Sequence, residues 1–492
     1  MRISLDIRFI LVILSLVSLI IGGTTLIGLA CSLIYGEKGM TDVFLPLTLG
    51  FAVTGFIVFR LTRRKIKPQP IKIREGILAV TLCWIFAAVL GSLPYLLAGS
   101  HHSFIDAFFE STACITTTGS TLVENLAALP KSLLFWRQLM TWLGGLGIVI
   151  FAISVIPMLG YGAVNLAAAE MVSQSVDKIR ARLRDSVRNI FLLFVVFTVL
   201  EVLFLAAGGL NFYDATILSF SSVGTGGFAN FHISGMLGGS LYVDVVVCVF
   251  CILASLSFVS YQFLLKRRFR DFFRGTEIRL FFIMLAVVCG LVLIILFVYG
   301  TYETAGETFR FGIMQTVSFM TTAGYSGTDV DVWPQATHWL LIAAMIVGGC
   351  SGSTSSGIKV ARAAVVFALI KRNIYKRLHP NAVVAVKLGD KAVPSDRVSH
   401  IATFVILYAL ILLGSCFVIS FEGLDGETTL GMVMAMISNT GLVIGPAIGV
   451  SDILAGFSQF SYLYMSLLMF AGRLELLTLV LLFSPAFWKP YR

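Results

Sequence analysis

Four short turns rich in Thr, Ser and Gly carry the residues of this sequence that are best suited to bind an ion. They read TTTGST (116–121), SVGTGGF (222–228), TTAGYSGT (321–328) and SNTGLVIGP (438–446). Aligning Gly119, Gly224, Gly324 and Gly441 as the central glycines predicts four equivalent turns. Glycine takes positive φ at little cost. Successive carbonyl oxygens can therefore face one centre and replace the hydration shell of a cation.

The predicted ligands are the backbone carbonyls of these turns, with hydroxyl groups as additional uncharged oxygen ligands. The predicted ion-binding residues are Thr117, Thr118, Gly119, Val223, Gly224, Thr225, Thr322, Ala323, Gly324, Asn439, Thr440 and Gly441, with further hydroxyls at Ser222, Thr321 and Ser438. Such turns are also a simple way to reverse a re-entrant loop. Four of them in equivalent register favour an ion pathway over that simpler explanation.

The composition defines the elements that must position the turns. Hydrophobic residues make up 58% of the 492 residues and charged residues 13%, with a mean hydropathy of +0.93. These values exclude a soluble protein and predict an all-α polytopic membrane protein with ten transmembrane helices. The predicted spans are 9–34, 42–60, 76–98, 133–157, 189–207, 241–265, 278–299, 337–370, 399–420 and 457–484.

Basic residues predict the orientation of the spans. They cluster at 60–74, 178–188, 266–279 and 371–397, after every second span, and this side is cytoplasmic by the positive-inside rule, together with both termini. The outer side is acidic, which suits a cation entrance or an ordinary solvated surface. The basic loops suit docking of an acidic soluble ring or contact with lipid headgroups. Because long apolar spans separate them, nucleic-acid binding is excluded.

The chain divides into two N-terminal helices (1–74) and four repeats of helix, short helix, turn and helix. The predicted repeat boundaries are 75–185, 186–275, 276–397 and 398–492. Segments such as 103–115 and 305–320 are too short or too polar to cross a bilayer, so they enter and return on the outer side. Four such loops around one pseudo-fourfold axis would line one pore.

The predicted span 337–370 is longer than one crossing needs, and its middle has poor helix propensity. We expect the helix to break there and the broken segment to face a cavity, with a passive kink or a close-packing glycine patch as the alternative. The candidate gate residues are Gly348, Gly349, Ser351, Gly352, Ser353, Thr354, Ser355, Ser356, Gly357, Lys359 and Arg473.

Five charged residues lie at spanning depth: Glu201, Lys359, Arg362, Arg473 and Glu475. A cation at Arg473, just inside the turns, would weaken ion binding enough for ions to leave. The alternative is a structural ion pair with another segment. Lys359 and Arg362 either hold the broken segment or snorkel to the cytoplasmic interface, and snorkelling is favoured. No partner for Glu201 is predicted.

The sequence does not predict an enzyme, a transition-metal site or a nucleotide site. Its six histidines are scattered, with His101 and His102 in a polar loop, and the Cys248-x-x-Cys251 pair has no second pair. The chain has no G-x-x-x-x-G-K-[ST] loop, so any coupling to a nucleotide requires a partner.

Five motifs carry a resemblance that extends over nearly the whole chain. They are TTTGST, GTGGF, TTAGY, GGCSGSTSSGIKVAR (348–362) and GRLELLTLVLLFSPAFW (472–488). In these motifs and in its two additional N-terminal helices, the sequence resembles the Trk/Ktr/HKT superfamily of potassium transporters, most closely its Trk H-type membrane subunits. Ala323 and the fourth turn depart from the usual family pattern.

The resemblance implies a K⁺ uptake channel or transporter subunit in the bacterial inner membrane, with K⁺ as its ion. It implies a homodimer with one pore per subunit and a soluble nucleotide-binding ring of the Trk A type on the cytoplasmic face. It also implies that the segment around Gly352 obstructs the pore and moves on gating, and that Gly119 favours K⁺, because Na⁺-selective plant members often have Ser there. The sequence leaves open a Na⁺-permeable relative, and passive flux or symport with H⁺ or Na⁺.

Overall fold

The structure is a computed structural model that describes residues 7–63, 73–158, 176–228, 240–389, 391–446, 448, 454–474 and 476–489. The first half of the chain contains α1 (Ile7–Tyr35), α2 (Lys38–Arg63), α3 (Ile73–Leu97), α4 (Phe104–Ile115), α5 (Lys131–Met158), α6 (Val176–Ala207), α7 (Phe212–Gly224), α8 (Leu241–Ser255), α9 (Tyr261–Leu265) and α10 (Phe269–Arg274). The second half contains α11 (Thr276–Tyr299), α12 (Ala305–Met320), α13 (Gln335–Val347), α14 (Val360–Leu378), α15 (Ser395–Ile419), α16 (Gly426–Ile437), α17 (Gln459–Arg473), α18 (Leu476–Phe483) and α19 (Pro485–Trp488). Lys387–Leu388 (β1) and Lys391–Ala392 (β2) form a small antiparallel hairpin between α14 and α15.

Within the described ranges, six helices are long and apolar enough to cross a membrane, or seven if α17 and α18 form one span. The six are α1, α2, α3, α6, α11 and α15. Their length and composition confirm the predicted class, a helical protein that crosses the membrane several times.

Three of the predicted spans are interrupted. The segment 241–265 divides into α8 and α9, and 337–370 divides into α13 and α14 as expected. The first break exposes backbone groups that bind the segment after α13: the carbonyl of Ser255 accepts from Cys350 N at 2.9 Å, and Phe258 N donates to the carbonyl of Gly352 at 3.1 Å. The segment 457–484 contains α17 and α18, whose axes meet at 119°.

Four short helices, α4, α7, α12 and α16, contain 12, 13, 16 and 12 residues. At about 1.5 Å per residue they are shorter than the roughly 30 Å hydrocarbon layer. Each begins at a side chain that accepts a hydrogen bond from a backbone N–H of the first turn, as N-cap residues do. The four caps are Ser103, Asn211, Thr304 and Asp425. Hydrogen bonds from Thr428 lower the pKa of Asp425 below its usual range.

The buried side chains form two large apolar clusters. One contains residues of α1–α4, α16 and α17, the other contains residues of α6–α8, and residues of α5, α11, α12 and α13 belong to both. The α1–α2 hairpin joins the first cluster through Phe44, whose ring meets that of Trp136 edge-on with centroids 6.0 Å apart. Gly28 allows this approach, since a β-carbon there would lie 2.9 Å from the Phe44 ring.

Candidate functional site

Each short helix ends in the same backbone conformation. One residue takes the left-handed conformation directly after the last turn, and a glycine with positive φ follows two positions later. The four pairs, with their φ angles, are Thr117 (56°) and Gly119 (93°), Thr225 (53°) and Gly227 (69°), Thr322 (54°) and Gly324 (75°), and Asn439 (52°) and Gly441 (78°). Asn tolerates this conformation better than most residues, so the divergent fourth turn keeps the backbone path of the others.

The predicted register of the second turn is wrong. Gly227, not Gly224, is the equivalent of Gly119, because Gly224 is the last residue of α7 and Thr225 takes the left-handed position. Val223 and Gly224 therefore belong to the helix and not to the turn. The signal was present in the sequence, since Thr-x-Gly occurs at 117–119, 225–227 and 322–324.

The four turns contact one another in a closed ring. In each contact, the glycine of one turn lies against the carbonyl of the residue that precedes the glycine in the next turn. A β-carbon on Gly119 would lie 2.4 Å from the carbonyl oxygen of Gly226, and one on Gly227 would lie 2.5 Å from that of Ala323. A β-carbon on Gly324 would lie 2.0 Å from the carbonyl oxygen of Thr440, and one on Gly441 would lie 2.0 Å from that of Thr118. The fourth contact returns to the first turn, so the turns surround one centre.

These contacts explain why glycine is required at the four ring positions. A side chain would have to displace a backbone carbonyl of the neighbouring turn, in addition to the cost of its own positive φ. Gly224 differs, since a β-carbon there would lie 3.3 Å from the carbonyl of Thr141 and its φ is not positive.

The ring leaves carbonyl oxygens free but uses most of its hydroxyl groups. In the described parts of the chain, the carbonyls of Thr118, Ala323 and Thr440 accept no hydrogen bond. The predicted hydroxyl ligands have partners inside the protein: Thr118 with Thr116 (2.8 Å), Thr440 with Ser438 (2.9 Å), Thr225 with the carbonyl of Gly224 (2.7 Å), Thr321 with that of Val317 (2.7 Å) and Thr322 with Ser356 N (2.8 Å). Thr117 Oγ1 is buried and has no partner among the described residues. Backbone carbonyls are therefore the better candidate ligands.

The structure contains a buried ion pair behind the ring that the sequence did not predict. Glu110 of α4 and Arg137 of α5 are 0% and 1% exposed, and Arg137 Nε lies 2.8 Å from Glu110 Oε1. Glu110 also accepts from Thr121 Oγ1 at 2.9 Å. The Arg137 guanidinium lies 3.7 Å from the ring centroid of Phe228, so the pair connects the first and second turns.

Two further polar residues are buried: His101, predicted in a polar loop, and Asp244, near the start of the predicted span 241–265. His101 is 7% exposed, and its Nε2 lies 3.7 Å from Glu110 Oε2. It is therefore not part of an open polar loop as predicted. Asp244 is 3% exposed and accepts from Arg310 Nε at 2.7 Å.

The predicted helix break between α13 and α14 is present, and the segment 348–357 forms a closed loop, the pore loop. Its base is fastened by hydrogen bonds from Ile358 N to the carbonyl of Ile346 (2.9 Å) and from Lys359 N to that of Val347 (2.8 Å). Residues 353–356 are buried. Ser356 N donates to Thr322 Oγ1 at 2.8 Å, so the pore loop lies directly against the third turn of the ring.

Arg473 is 3% exposed and binds the pore loop. Its Nη1 donates to the carbonyl of Thr354 at 2.7 Å and to Ser356 Oγ at 3.2 Å, and its Nη2 donates to the carbonyl of Gly144 at 3.0 Å. Within the described structure no carboxylate lies within 4.0 Å of it. The ion-pair alternative for Arg473 is therefore wrong for these residues, while Glu475 lies outside the part that the structure describes.

The structure gives contacts for the other predicted charges, and for Lys359 the contact contradicts the favoured interpretation. Lys359 is half-buried and its Nζ donates to the carbonyl of Ser355, so it folds back onto the pore loop and does not snorkel. Arg362 stacks on Phe404, with its Cζ 4.4 Å from the ring centroid. A third charge, Glu277 at the start of α11, was not singled out, yet it accepts from Ser351 N at 2.5 Å.

Glu201 of α6 is completely buried. Its partner, which the sequence did not predict, is Ser222 in the last turn of α7. Ser222 Oγ lies 2.5 Å from Glu201 Oε1. No group of three His, Cys, Asp or Glu side chains arranged to hold a metal occurs in the described ranges.

Comparison with known proteins decides the family. Residues 43–489 match the sequence profile of TrkH, described as a cation transport protein. The chain belongs to the TrkH family. It is 33% identical over 496 residues to the Trk system potassium uptake protein TrkH of Halomonas elongata, covering 99% of this chain and 100% of that protein. It is 32% identical over 484 residues to the Salmonella typhimurium protein of the same name, covering 97% and 98%.

A solved structure of this TrkH family has the same fold. The crystal structure of the potassium transporter TrkH from Vibrio parahaemolyticus superposes with a TM-score of 0.88 at 27% identity, over 98% of this chain and 100% of that one. The resemblance deduced from the motifs is therefore confirmed. The matched relatives are named as transport proteins and not as enzymes, which agrees with the sequence analysis.

Proposed function

We propose that this chain is the membrane subunit of a K⁺ uptake system and that the ring of four turns is its selectivity filter. The closed ring carries the proposal, because four turns of one backbone conformation surround a single centre, and three of the four carbonyls in the ring contacts, those of Thr118, Ala323 and Thr440, accept no hydrogen bond in the described part of the chain. Carbonyl oxygens can replace the water around K⁺. The relatives are named as potassium uptake proteins.

The proposed pore has ten membrane crossings, two from α1 and α2 and eight from four repeats. In each repeat a short helix, α4, α7, α12 or α16, enters from the outside and ends at the ring. The negative ends of the four helix dipoles would then favour a cation at the centre.

The pore loop is the proposed gate. It lies against the third turn through Ser356 and is held by Arg473, which places a fixed cation and a plug next to the filter. Because hydrogen bonds fasten the loop at several points, opening requires that these bonds break together, as in other two-state elements.

A cytoplasmic partner has a direct route to this gate. The β1–β2 hairpin contacts the start of α11, where a β-carbon on Gly389 would lie 2.4 Å from Thr276 Oγ1. The next residue, Glu277, holds Ser351 of the pore loop. A soluble nucleotide-binding ring of the Trk A type, docked on the basic cytoplasmic face of a homodimer in the bacterial inner membrane, would act through this contact.

The proposed function is tested with purified protein in liposomes, by measuring ⁸⁶Rb⁺ uptake with K⁺ or Na⁺ as competitor. K⁺ is expected to block uptake, and Na⁺ is not. If the closed gate prevents uptake by the wild-type chain alone, the assay is repeated with the Arg473→Gln variant, in which the gate is expected to open. Equal competition by Na⁺ and K⁺ in both proteins would contradict K⁺ selection and favour a Na⁺-permeable transporter of this fold.

A further inference from the structure

Glu201 lies behind the second turn, in a place where an ionised carboxylate has little support. Its side chain is 0% exposed, and in the described part of the chain no Lys, Arg or His nitrogen lies within 4.0 Å of it. Its Oε2 has no hydrogen-bond partner there. Burying an unpaired charge costs several kcal/mol, and such groups usually become neutral.

The hydrogen bonds of Ser222 point to the same protonation state. Its Oγ lies 2.5 Å from Glu201 Oε1 and 2.9 Å from the carbonyl oxygen of Leu218. A hydroxyl group has one hydrogen to donate, so it cannot donate to two acceptors. If Glu201 carries a proton, it donates to Ser222 Oγ, and Ser222 donates to Leu218. Both bonds are then satisfied.

This pair fixes the end of α7 at the point where the second turn begins. The carbonyl of Ser222 accepts from Thr225 N at 3.0 Å, and Thr225 is the left-handed residue of that turn. Tyr325, which follows Gly324 of the third turn, donates to the carbonyl of Leu218 at 3.4 Å. The titratable groups that face Glu201 from neighbouring elements are the Cys251 thiol and the Tyr325 phenol, which carry no charge at neutral pH.

We propose that Glu201 is a neutral carboxylic acid that positions the second turn of the ring, and thereby contributes to the discrimination of K⁺ from Na⁺. It is a positioning residue, since it contacts Ser222 and not the ring itself. Its contribution to selectivity rests on the proposed function, whereas its protonation state does not.

Two variants separate the hydrogen bond from the charge. Glu201→Gln is neutral and keeps a donor for Ser222 Oγ, while Glu201→Leu has neither charge nor donor. With ⁸⁶Rb⁺ uptake as the assay, Glu201→Gln should keep the wild-type ratio of K⁺ to Na⁺ competition. Glu201→Leu should lower that ratio by roughly tenfold, the effect of about 1.4 kcal/mol of differential binding. Ser222→Ala should lower it similarly, and it tests the same bond if Glu201→Leu does not fold.

Infrared difference spectra provide a measurement that does not depend on transport. The wild-type spectrum minus that of Glu201→Gln should show the carbonyl stretch of a protonated carboxylic acid from mildly acidic to mildly alkaline pH. A carboxylate band instead, or a Glu201→Gln variant as unselective as Glu201→Leu, would overturn the neutral acid. Unchanged selectivity in both Glu201→Leu and Ser222→Ala would overturn the positioning role. If no protein takes up Rb⁺, the proposed function fails, and the infrared band still decides the protonation state.

Discussion

The Nη1 atom of Arg473 donates a hydrogen bond of 2.7 Å to the carbonyl oxygen of Thr354. The same guanidinium also reaches Ser356 in the pore loop and the carbonyl of Gly144 on α5. One cation at the end of α17 therefore holds the pore loop against a neighbouring helix. Bonds from a charged donor are stronger than neutral ones, so this contact contributes to keeping the pore loop in place.

Arg473→Gln and Arg473→Lys should both increase ⁸⁶Rb⁺ uptake in the absence of any soluble partner. Lysine keeps the charge but lacks the planar fork that reaches several acceptors at once. Each lost charge-assisted bond corresponds to about 1.5–3 kcal/mol. Folded yield by size-exclusion chromatography serves as the control. A Lys variant that stays closed while Gln opens would show that charge alone, and not the hydrogen bonds, obstructs the pore.

Glu277→Ala should also raise partner-independent uptake, because it removes the acceptor that holds Ser351 N. Glu277→Gln keeps a weaker, uncharged acceptor, so its effect should be intermediate. Glu303→Gln changes an exposed acidic residue just before α12, so it is the matched control and should behave as wild type. Identical uptake in all three variants would separate Glu277 from gating.

Glu110→Gln should destabilise the protein by about 3–5 kcal/mol, because it leaves the buried Arg137 without its counter-charge. Adding Arg137→Met should recover part of this loss, since the pair is then removed together. Thermal unfolding in detergent, followed by tryptophan fluorescence, measures both effects. If Glu110→Gln alone is as stable as wild type, Arg137 does not need its counter-charge, and its contact with Phe228 is sufficient.

Gly119→Ser should reduce the preference for K⁺ over Na⁺. The new β-carbon would meet the carbonyl of Gly226. The substituted residue must also keep the positive φ of Gly119, which costs roughly 1–2 kcal/mol for a residue with a side chain. The displaced carbonyl belongs to the second turn, so the change acts on two turns. The ratio of K⁺ to Na⁺ competition in Rb⁺ uptake measures it. An unchanged ratio would remove the first turn from the filter.

Much of the architecture could be predicted from sequence, because hydropathy and turn composition are local signals. The short helices, the four turns and the break after Val347 all follow from such patterns. The breaks after Ser255 and Arg473 were missed. Both residues form hydrogen bonds with the pore loop, which lies far away in the sequence. Local apolar character cannot report a bond that forms only on folding.

The candidate site was predictable in residue type and less so in partners. Aligning glycines by position in the motif placed Gly224 in the ring, whereas the geometry depends on the left-handed residue two positions before each glycine. Two of the three hydrogen-bond partners of Arg473 are the backbone carbonyls of Thr354 and Gly144, which composition cannot indicate because every residue has a carbonyl. The burial of Glu110 and Arg137 has no signal in hydropathy, because it arises only when α4 packs against α5 in the folded chain.

The selection of K⁺ by the ring is tested most directly by a paired substitution in the second turn. Gly227→Ala introduces a β-carbon 2.5 Å from the carbonyl oxygen of Ala323. The β-carbon of Gly224→Ala has its nearest neighbour, the carbonyl oxygen of Thr141, at 3.3 Å. The ratio of K⁺ to Na⁺ competition in ⁸⁶Rb⁺ uptake is the readout for both. Gly227→Ala should lose most of the K⁺ preference and Gly224→Ala should keep it. Preserved selectivity in Gly227→Ala, with or without a loss in Gly224→Ala, would contradict the ring as the selectivity filter.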